Sequence, residues 1–225
     1  MKQTRYTLRA LARLLAYPDD QLRSELGLLV DAIDEEAALP AARRAELRAL
    51  AIGLQRLDPM EIESRYVETF DRGRATSLHL FEHVHGDSRD RGPAMIDLAQ
   101  TYEKAGLFLS PEELPDHLGV VLEFASTQPH QVAKSFLGEV AHILNAIFSA
   151  LLQRESPYAA VIAAVLEMAG EKPQAVPITQ DEPMDESWAE PQAFDGCSTR
   201  GQARPGEAQP IHIVRPSRSA ERAAA

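Results

Sequence analysis

The sequence predicts an all-α protein, with one helical-bundle domain of seven to eight helices in residues 1–170 and a disordered, proline-rich tail in residues 171–225. Apolar residues recur every three or four positions through the first segment, while β-branched residues are sparse and never alternate over the length of a strand. Past Gly170 no helical period continues, and the remaining residues hold seven of the fifteen prolines. A helical body therefore precedes a segment with too little apolar surface to fold.

The first four predicted helices are delimited by prolines. Pro18, Pro40 and Pro59 each occupy a first helical turn, where the missing N–H costs nothing. The first helix ends at Tyr17, because the residue before a proline is biased away from helix. Asp58 supplies an N-cap for the fourth helix. The apolar stripes of these helices are Leu8, Leu11 and Leu15; Leu22, Leu26, Leu29 and Ile33; Leu47, Leu50, Leu54 and Leu57; and Ile62, Tyr66 and Phe70.

The second half of the body begins with an irregular segment, residues 75–92, and then returns to helical periodicity. Gly106 is a natural C-terminal stop for the first helix of this half. Ser110 to Glu113 form a capping box, which predicts a helix that continues through Pro115. The strongest apolar stripe predicts one long central helix near the end of the body. The four helices predicted here span residues 93–106, 110–124, 130–154 and 157–170.

Charge and composition exclude several classes of function. The chain carries 34 acidic and 23 basic side chains, and its net charge is −11. A protein that binds the nucleic-acid backbone needs a clustered basic face, and anionic lipid would repel this excess of acids. We therefore expect no nucleic acid and no stable membrane association. The longest uncharged windows are too short to cross a bilayer.

The cysteine content and the N-terminus point to a soluble protein of the cytoplasm. Cys197 is the one cysteine, so no internal disulfide can form and a reducing compartment is expected. The N-terminus spreads basic residues through its apolar positions, whereas a secretory signal keeps its charges ahead of an uninterrupted apolar stretch. No cofactor is predicted, because no phosphate-binding glycine loop occurs in the sequence.

The irregular segment holds three of the seven histidines, His79, His83 and His85, followed by Asp87. His79 and His83 are four residues apart, a spacing that suits two metal ligands on one helix face. Zinc proteases place a glutamate directly after the first histidine, however, and this chain has Leu80 there. Two readings stay open: a metal-dependent all-helical hydrolase that uses these four residues, and a polar surface that hydrogen-bonds or recognises a partner.

A second polar motif is Glu113-Leu114-Pro115-Asp116-His117. Acid–base catalysis by an Asp–His pair needs a nucleophile or a polarising group nearby, and the sequence indicates neither. Buried polar side chains are usually satisfied by hydrogen bonds, which favours structure or recognition here. The residues as a whole favour a protein that binds another protein over an enzyme.

Three segments of the chain resemble the NarJ-type chaperones of respiratory nitrate reductase. The most specific is the run from Tyr66 to Gly92, which reads YVETFDRGRATSLHLFEHVHGDSRDRG. The start of the chain, Leu14 to Pro18, and the segment from Glu113 to Leu118 resemble the same family. The resemblance covers nearly all of residues 1–170.

The resemblance implies an all-helical redox-enzyme maturation chaperone that is not an enzyme and carries no cofactor of its own. Its expected partner is the apo catalytic subunit of respiratory nitrate reductase, including the N-terminal leader-like peptide of that subunit. It would support insertion of the molybdenum cofactor before membrane docking. A further implied partner is the machinery that inserts this cofactor.

The resemblance also implies a set of client-binding residues. Tyr66 to Phe70 match an aromatic-x-x-Leu-Phe segment with Thr69 in the leucine position, and Glu113 to His117 match a Glu-Pro-x-Asp-His segment with the proline displaced by one. Apolar members would wall a peptide groove, and acidic members would meet basic residues of the peptide. The implied residues are Tyr66, Phe70, His79, Glu82, His83, His85, Asp87, Glu113, Asp116, His117, Leu118 and Leu122.

Overall fold

A computed structural model describes residues 4–86 and 88–177, and it confirms the all-α prediction. These residues form ten α-helices and one 3₁₀ turn, Arg74–Thr76, with no β-strand among them. The helices are α1 (Arg5–Leu14), α2 (Asp20–Glu36), α3 (Ala41–Arg56), α4 (Pro59–Phe70), α5 (Leu80–His85), α6 (Arg91–Lys104), α7 (Leu118–Thr127), α8 (His130–Glu139), α9 (Ala141–Gln153) and α10 (Ala159–Met168).

Two breaks account for the difference between ten helices and the predicted seven to eight. The irregular segment contains the six-residue helix α5, which is too short to produce a periodic signal. The predicted helix 130–154 is two helices, α8 and α9, bent by 67° at Val140. Gly138 lies two residues before the bend, and glycine lowers helix stability there.

The helix predicted from Ser110 is wrong in its start. Half of the capping box forms, since the Ser110 N–H donates to Glu113 Oε2 at 3.2 Å. The Glu113 N–H donates to the Ser110 carbonyl at 3.1 Å, in place of the Ser110 hydroxyl. Pro115 then prevents continuation, because it lacks an N–H and its ring clashes with the preceding turn. The helix α7 begins at Leu118 instead, with His117 as N-cap accepting the Gly119 N–H at 3.2 Å.

The core is built around α1 and α10. The helix α1 packs on α2, α7 and α10, and α10 packs on α3, α8 and α9. Residues 161–166 of α10 are fully buried, so this helix has no solvent-facing side along its middle. The N-terminus of α1 is closed by Glu36, whose carboxylate accepts the N–H groups of Tyr6 at 3.1 Å and Thr7 at 2.7 Å. Among the described residues no single helix has the length and apolarity needed to cross a membrane.

Helix α6 lies at the edge of the bundle. Its one buried residue is Tyr102, whose hydroxyl donates to the Pro115 carbonyl at 2.8 Å and whose ring lies 4.7 Å from that of Phe124. The tyrosine therefore connects α6 to the loop before α7 and to α7 itself.

The first part of the predicted tail has a defined place in the structure. The Glu171 N–H donates to the Leu166 carbonyl at 2.9 Å and closes the end of α10, and residues 172–177 then run along α9. The rest of the predicted disordered tail, from residue 178, lies outside the described residues.

Candidate functional site

The apolar residues expected to wall a peptide groove lie in the core instead. Tyr66 and Phe70 on α4, and Leu118 and Leu122 on α7, are all buried. The Tyr66 hydroxyl donates to the Leu15 carbonyl at 2.7 Å, and burial raises the pKa of this hydroxyl. The periodic face that identifies these four residues is the face that each helix turns inward, and their part in client binding stays a prediction.

The polar motifs, by contrast, come together. His79 and His117 form an isolated antiparallel bridge, in which the Leu80 N–H donates to the Asp116 carbonyl at 3.0 Å and the Leu118 N–H donates to the Leu78 carbonyl at 2.8 Å. The start of α5 is thereby fixed to the start of α7. Two motifs about 35 residues apart in the sequence become one cluster.

Asp116 is the centre of this cluster. Its side chain is 0% exposed, its carboxylate accepts the Phe81 N–H at 3.2 Å, and it lies 3.3 Å from His79 Nδ1. The Arg91 guanidinium is 3.7 Å away, and the same group is 3.5 Å from the Glu82 carboxylate. The buried charge is therefore compensated on three sides, as a buried carboxylate requires.

The contacts of the cluster shift the pKa values of its members in opposite directions. Burial by itself raises the pKa of Asp116, but the hydrogen bonds from His79 and Phe81, with the charges of His79 and Arg91, lower it overall. The hydrogen bond to Asp116 raises the pKa of His79. Burial lowers the pKa of His117, and the charge of His79 lowers it further. An ionised Asp116–His79 pair beside a neutral His117 is the state that these contacts favour.

The remaining polar residues of the prediction have separate contacts. His83 Nε2 donates to the Ser77 carbonyl at 2.9 Å, and the His85 ring packs edge-on against Phe81 at 5.5 Å. Glu113 is bound to the Ser110 backbone. Asp87 lies outside the described residues.

The hypothesis that these histidines belong to a metal-dependent hydrolase has no support. Within residues 4–86 and 88–177 there is no group of three or more His, Cys, Asp or Glu side chains placed to hold a metal. His79 and His83 each use a ring nitrogen in a hydrogen bond to the protein. Their spacing instead places one histidine against α7 and the other against the chain before α5.

A large apolar groove lies elsewhere, between α3, α4 and the turn that joins α9 to α10. Its volume is about 920 Å³, and its floor includes Leu54, Leu57 and Ile62. A Cβ added at Gly53 would meet nothing within 4 Å, so the groove is open beside the last turn of α3. A groove of this size and character suits an apolar helix face.

The rim of the groove is charged and partly strained. The Arg154 guanidinium donates to the Glu68 carbonyl at 3.1 Å, and Arg65 pairs with Glu61. The carboxylates of Glu68 and Glu155 have no partner among the described residues. Glu155 also has a φ of 50°, a left-handed conformation that is costly outside glycine and is found at functional sites.

The groove and the buried aromatic cluster share Tyr158. This residue lines the groove, and its ring lies 5.0 Å from Phe70 and 6.0 Å from Tyr66. Its hydroxyl is buried with no hydrogen-bond partner in the described structure. Tyr66 and Phe70 thus lie behind the groove wall and not on it.

Both regions fall within a match to a known family. The family described as "Nitrate reductase delta subunit" matches residues 36–164, which is more than half of the chain. The nitrate reductase molybdenum cofactor assembly chaperone NarJ of Escherichia coli K12 is 41% identical over 188 residues, which cover 82% of this chain and 78% of that protein. The chain belongs to the nitrate reductase delta subunit family.

A further relative of this delta-subunit chain agrees in sequence, and a solved structure agrees in fold. A probable NarJ chaperone of Bacillus subtilis is 30% identical over 164 residues, covering 71% of this chain and 86% of that protein. A crystal structure of a putative redox enzyme maturation protein from Archaeoglobus fulgidus has a TM-score of 0.53 at 20% identity, with 76% and 96% of the two chains covered. That likeness shows a shared fold.

The residues that α3 contributes to the groove of this delta-subunit chain carry no distinctive sequence signal. Leu54 and Leu57 belong to an ordinary apolar stripe, and Gly53 is an isolated glycine within a helical pattern. A signal does exist in α4, where Arg65 and Thr69 alternate with the inward row of Ile62 and Tyr66. Arg65 and Thr69 each lie one residue before Tyr66 and Phe70, the implied client-binding residues, and so on the neighbouring face of the helix.

Proposed function

We propose that this chain is an assembly chaperone for a respiratory nitrate reductase. It binds the apo catalytic subunit, including the N-terminal leader-like peptide, and supports insertion of the molybdenum cofactor before membrane docking. The observation that carries this proposal is the 41% identity to the E. coli NarJ chaperone over most of both chains. A second E. coli protein, named as a probable chaperone of the same kind, is 38% identical over 188 residues.

The proposed role is to bind and not to catalyse, and its proposed place is the cytoplasm. The catalytic subunit is the direct partner, and the machinery that inserts the molybdenum cofactor is a further one. The chain's own contacts suit this role, since the polar residues that resemble catalytic groups hold one another in place.

The leader-like peptide binds in the apolar groove as an amphipathic helix. The floor at Leu54, Leu57 and Ile62 takes its apolar face, and the unpaired carboxylates of Glu68 and Glu155 face its basic residues. Charges at such a rim affect orientation and association rate more than affinity. The apolar floor therefore supplies most of the binding energy.

The residues of the family motifs take two kinds of role in this proposal. Asp116, His79 and His117 position the chain, since they join α5 to α7 from inside. Glu82, His85 and Glu113 keep part of their side chains at the surface and contact the folded part of the client. His83 and Asp87 flank that surface in the sequence, and the buried Tyr66, Phe70, Leu118 and Leu122 support it from the core.

Co-purification tests the function as a whole. A tagged chain isolated from nitrate-respiring cells should carry the apo catalytic subunit with it. If the tagged chain is isolated without that subunit, the proposed function fails.

The groove is tested by filling it. Gly53→Leu places a side chain in open space and replaces a poor helix former, so it should block the groove without loss of stability. We expect the affinity for a synthetic leader peptide, measured by calorimetry, to fall at least about tenfold, the effect of losing roughly 1.4 kcal/mol.

Gly27→Leu on α2 is the matched control for this experiment. It adds the same side chain at another open position, away from the groove. Equal peptide affinity in the two variants would exclude the groove as the peptide site.

A further inference from the structure

Residues 172–177 lie on α9 through two specific hydrogen bonds. The Gln174 N–H donates to Asn145 Oδ1 at 2.9 Å, and the Val176 N–H donates to Ser149 Oγ at 2.8 Å. Two residues of extended chain span about 6.6 Å, and four residues of helix span about 6.0 Å, so the two spacings match. The pair Asn145 and Ser149 thus reads the backbone of an extended peptide, with no requirement on its side chains.

Both acceptors on α9 are held in place by the helix itself. The Asn145 amide Nδ2 donates to the Ala141 carbonyl at 3.1 Å, which turns its oxygen outward. The Ser149 hydroxyl donates to the Asn145 carbonyl at 2.7 Å, which leaves its lone pairs for an incoming N–H. These bonds do not involve the extended segment, so the two acceptors keep their orientation when that segment leaves.

The sequence of the segment, Lys-Pro-Gln-Ala-Val-Pro, fits this arrangement. Pro173 and Pro177 occupy alternate positions, where no N–H is needed, and proline favours the extended conformation. Ala175 lies between the two bonded residues, and its N–H has no partner in the described structure. The donors therefore alternate with positions that do not donate.

Residues 172–177 are weakly bound to α9. Gln174 and Ala175 are exposed and Val176 is half-buried, and no helix or strand forms in the segment. Two hydrogen bonds of ordinary strength account for its polar contacts, so another extended chain with N–H groups at the same spacing could displace it.

The segment runs toward the proposed peptide groove. Its contacts move from Asn145 to Ser149, and Ser149 lies one helical turn before the end of α9. The residues that follow the end of α9, Arg154 to Pro157, line the groove. A peptide in the groove and a chain on α9 would therefore be neighbours.

We propose that α9 carries a second peptide site, a track formed by Asn145 and Ser149 that reads extended backbone. The chain fills this track itself with residues 172–177 when no client is bound. The extended segment that adjoins the client's leader helix takes the track in exchange. This inference rests on the proposed function, since the client supplies the competing chain.

Amide hydrogen exchange tests the track without any client. In the free protein the amides of Gln174 and Val176 should exchange several-fold more slowly than that of Ala175, because two are bonded to α9 and one is not. Equal exchange at the three positions would overturn the proposal.

Peptides of two lengths test the exchange. A short peptide carries the leader helix alone, and a long peptide adds about eight following residues. The long peptide, and not the short one, should accelerate exchange at Gln174 and Val176 on binding. If both peptides bind and leave these amides protected, the client does not use the track and the proposal fails.

Proline substitutions provide a matched pair of variants. Gln174→Pro with Val176→Pro removes the two donors, whereas Ala175→Pro adds a proline where no hydrogen bond is lost. We expect the first variant to bind the long peptide about three- to tenfold more tightly than the Ala175→Pro control, with no difference for the short peptide. Equal affinities for the long peptide would contradict the exchange.

Substitution of the two acceptors on α9 is expected to weaken the binding of the long peptide. Asn145→Ala with Ser149→Ala removes the track, so the long peptide should bind no better than the short one. Failure of both peptides to bind wild-type protein would overturn the proposed function, and the exchange rates in the free protein would still decide whether the track exists.

Discussion

The polar cluster around Asp116 and the groove between α3, α4 and the turn before α10 are opposites. In the cluster every carboxylate and histidine bond described above is made inside the protein, and Asp116 has no exposed surface. In the groove the lining is largely apolar, and the carboxylates of Glu68 and Glu155 and the Tyr158 hydroxyl have no partner among the residues that the structure describes. The buried polar side chains of the cluster therefore bond to one another inside the protein, whereas the groove leaves apolar and charged side chains open to a partner.

The largest expected effect comes from Asp116→Ala. This change leaves His79 and Arg91 without their buried acceptor, and breaking a buried pair costs about 3–5 kcal/mol. We expect the free energy of unfolding in urea to fall by that amount, while the leader-peptide affinity of the folded fraction changes less than about twofold.

Asp116→Asn is the control for size, since it keeps an acceptor for the Phe81 N–H and loses the charge. It should lose less stability than the alanine variant. Wild-type stability with weakened peptide binding in Asp116→Ala would place Asp116 in the binding site and remove the distinction between the two regions.

The pH dependence of the cluster gives the next effect. His79 has a raised pKa in the folded protein, so its pair with Asp116 contributes fully below the ordinary histidine pKa of 6.5 and is lost as the pH rises through the raised value. We expect His79→Gln to lower the free energy of unfolding by about 1–2 kcal/mol near pH 6 and by clearly less near pH 8.5.

The pH dependence that His117 contributes has the opposite sign. Its pKa is lowered in the folded protein, so its effect on the free energy of unfolding becomes less favourable as the pH drops below the ordinary histidine pKa. It is present in both proteins, so the comparison of wild type with His79→Gln largely removes it. A difference that does not change with pH would show that His79 stabilises by packing alone.

Two neighbouring tyrosines allow a hydroxyl that makes a hydrogen bond to be compared with one that has no partner in the described structure. Tyr66→Phe removes the hydrogen bond to the Leu15 carbonyl and should cost about 1 kcal/mol. Tyr158→Phe removes a buried hydroxyl without a partner and should be neutral or stabilising. Chemical denaturation of the two variants measures this, and equal losses would mean that the Tyr158 hydroxyl does have a partner in solution.

Salt gives the smallest expected effect. Raising the ionic strength from about 0.05 M to 0.5 M shortens the Debye length several-fold and screens Glu68 and Glu155 from a basic peptide. We expect two- to fivefold weaker leader-peptide binding by calorimetry, since the apolar floor is unaffected. An affinity independent of salt would assign the acidity of the chain to solubility.

The sequence was sufficient for the fold class and for most helix positions. Asp58 caps α4, as its position before Pro59 and a periodic stripe indicates. The prediction for Pro18 is wrong, because α2 begins at Asp20 with Asp19 as its N-cap, so Pro18 lies before the helix. The bend at Val140 could not be predicted, because the apolar face of residues 130–154 is continuous in sequence and the break is set by packing.

The candidate site was harder to predict, for a physical reason. A periodic aromatic stripe such as Tyr66 and Phe70 indicates burial, and neither of these residues lines the groove. A groove is a property of how helices are spaced, and Gly53 marks it only once the neighbouring helices are in place. The track at Asn145 and Ser149 likewise requires a partner segment that periodicity does not describe.

The packing of α1 has a consequence for how this protein is made. Part of its apolar face is covered by α7, which leaves the ribosome more than one hundred residues later. At about 5–20 residues per second, that part stays uncovered for roughly 5 to 25 s of synthesis. Folding cannot be completed from the N-terminus outward, so a stalled or truncated nascent chain exposes its central helix to aggregation. A protein proposed to shield unfinished enzymes is itself unprotected until most of it has been translated.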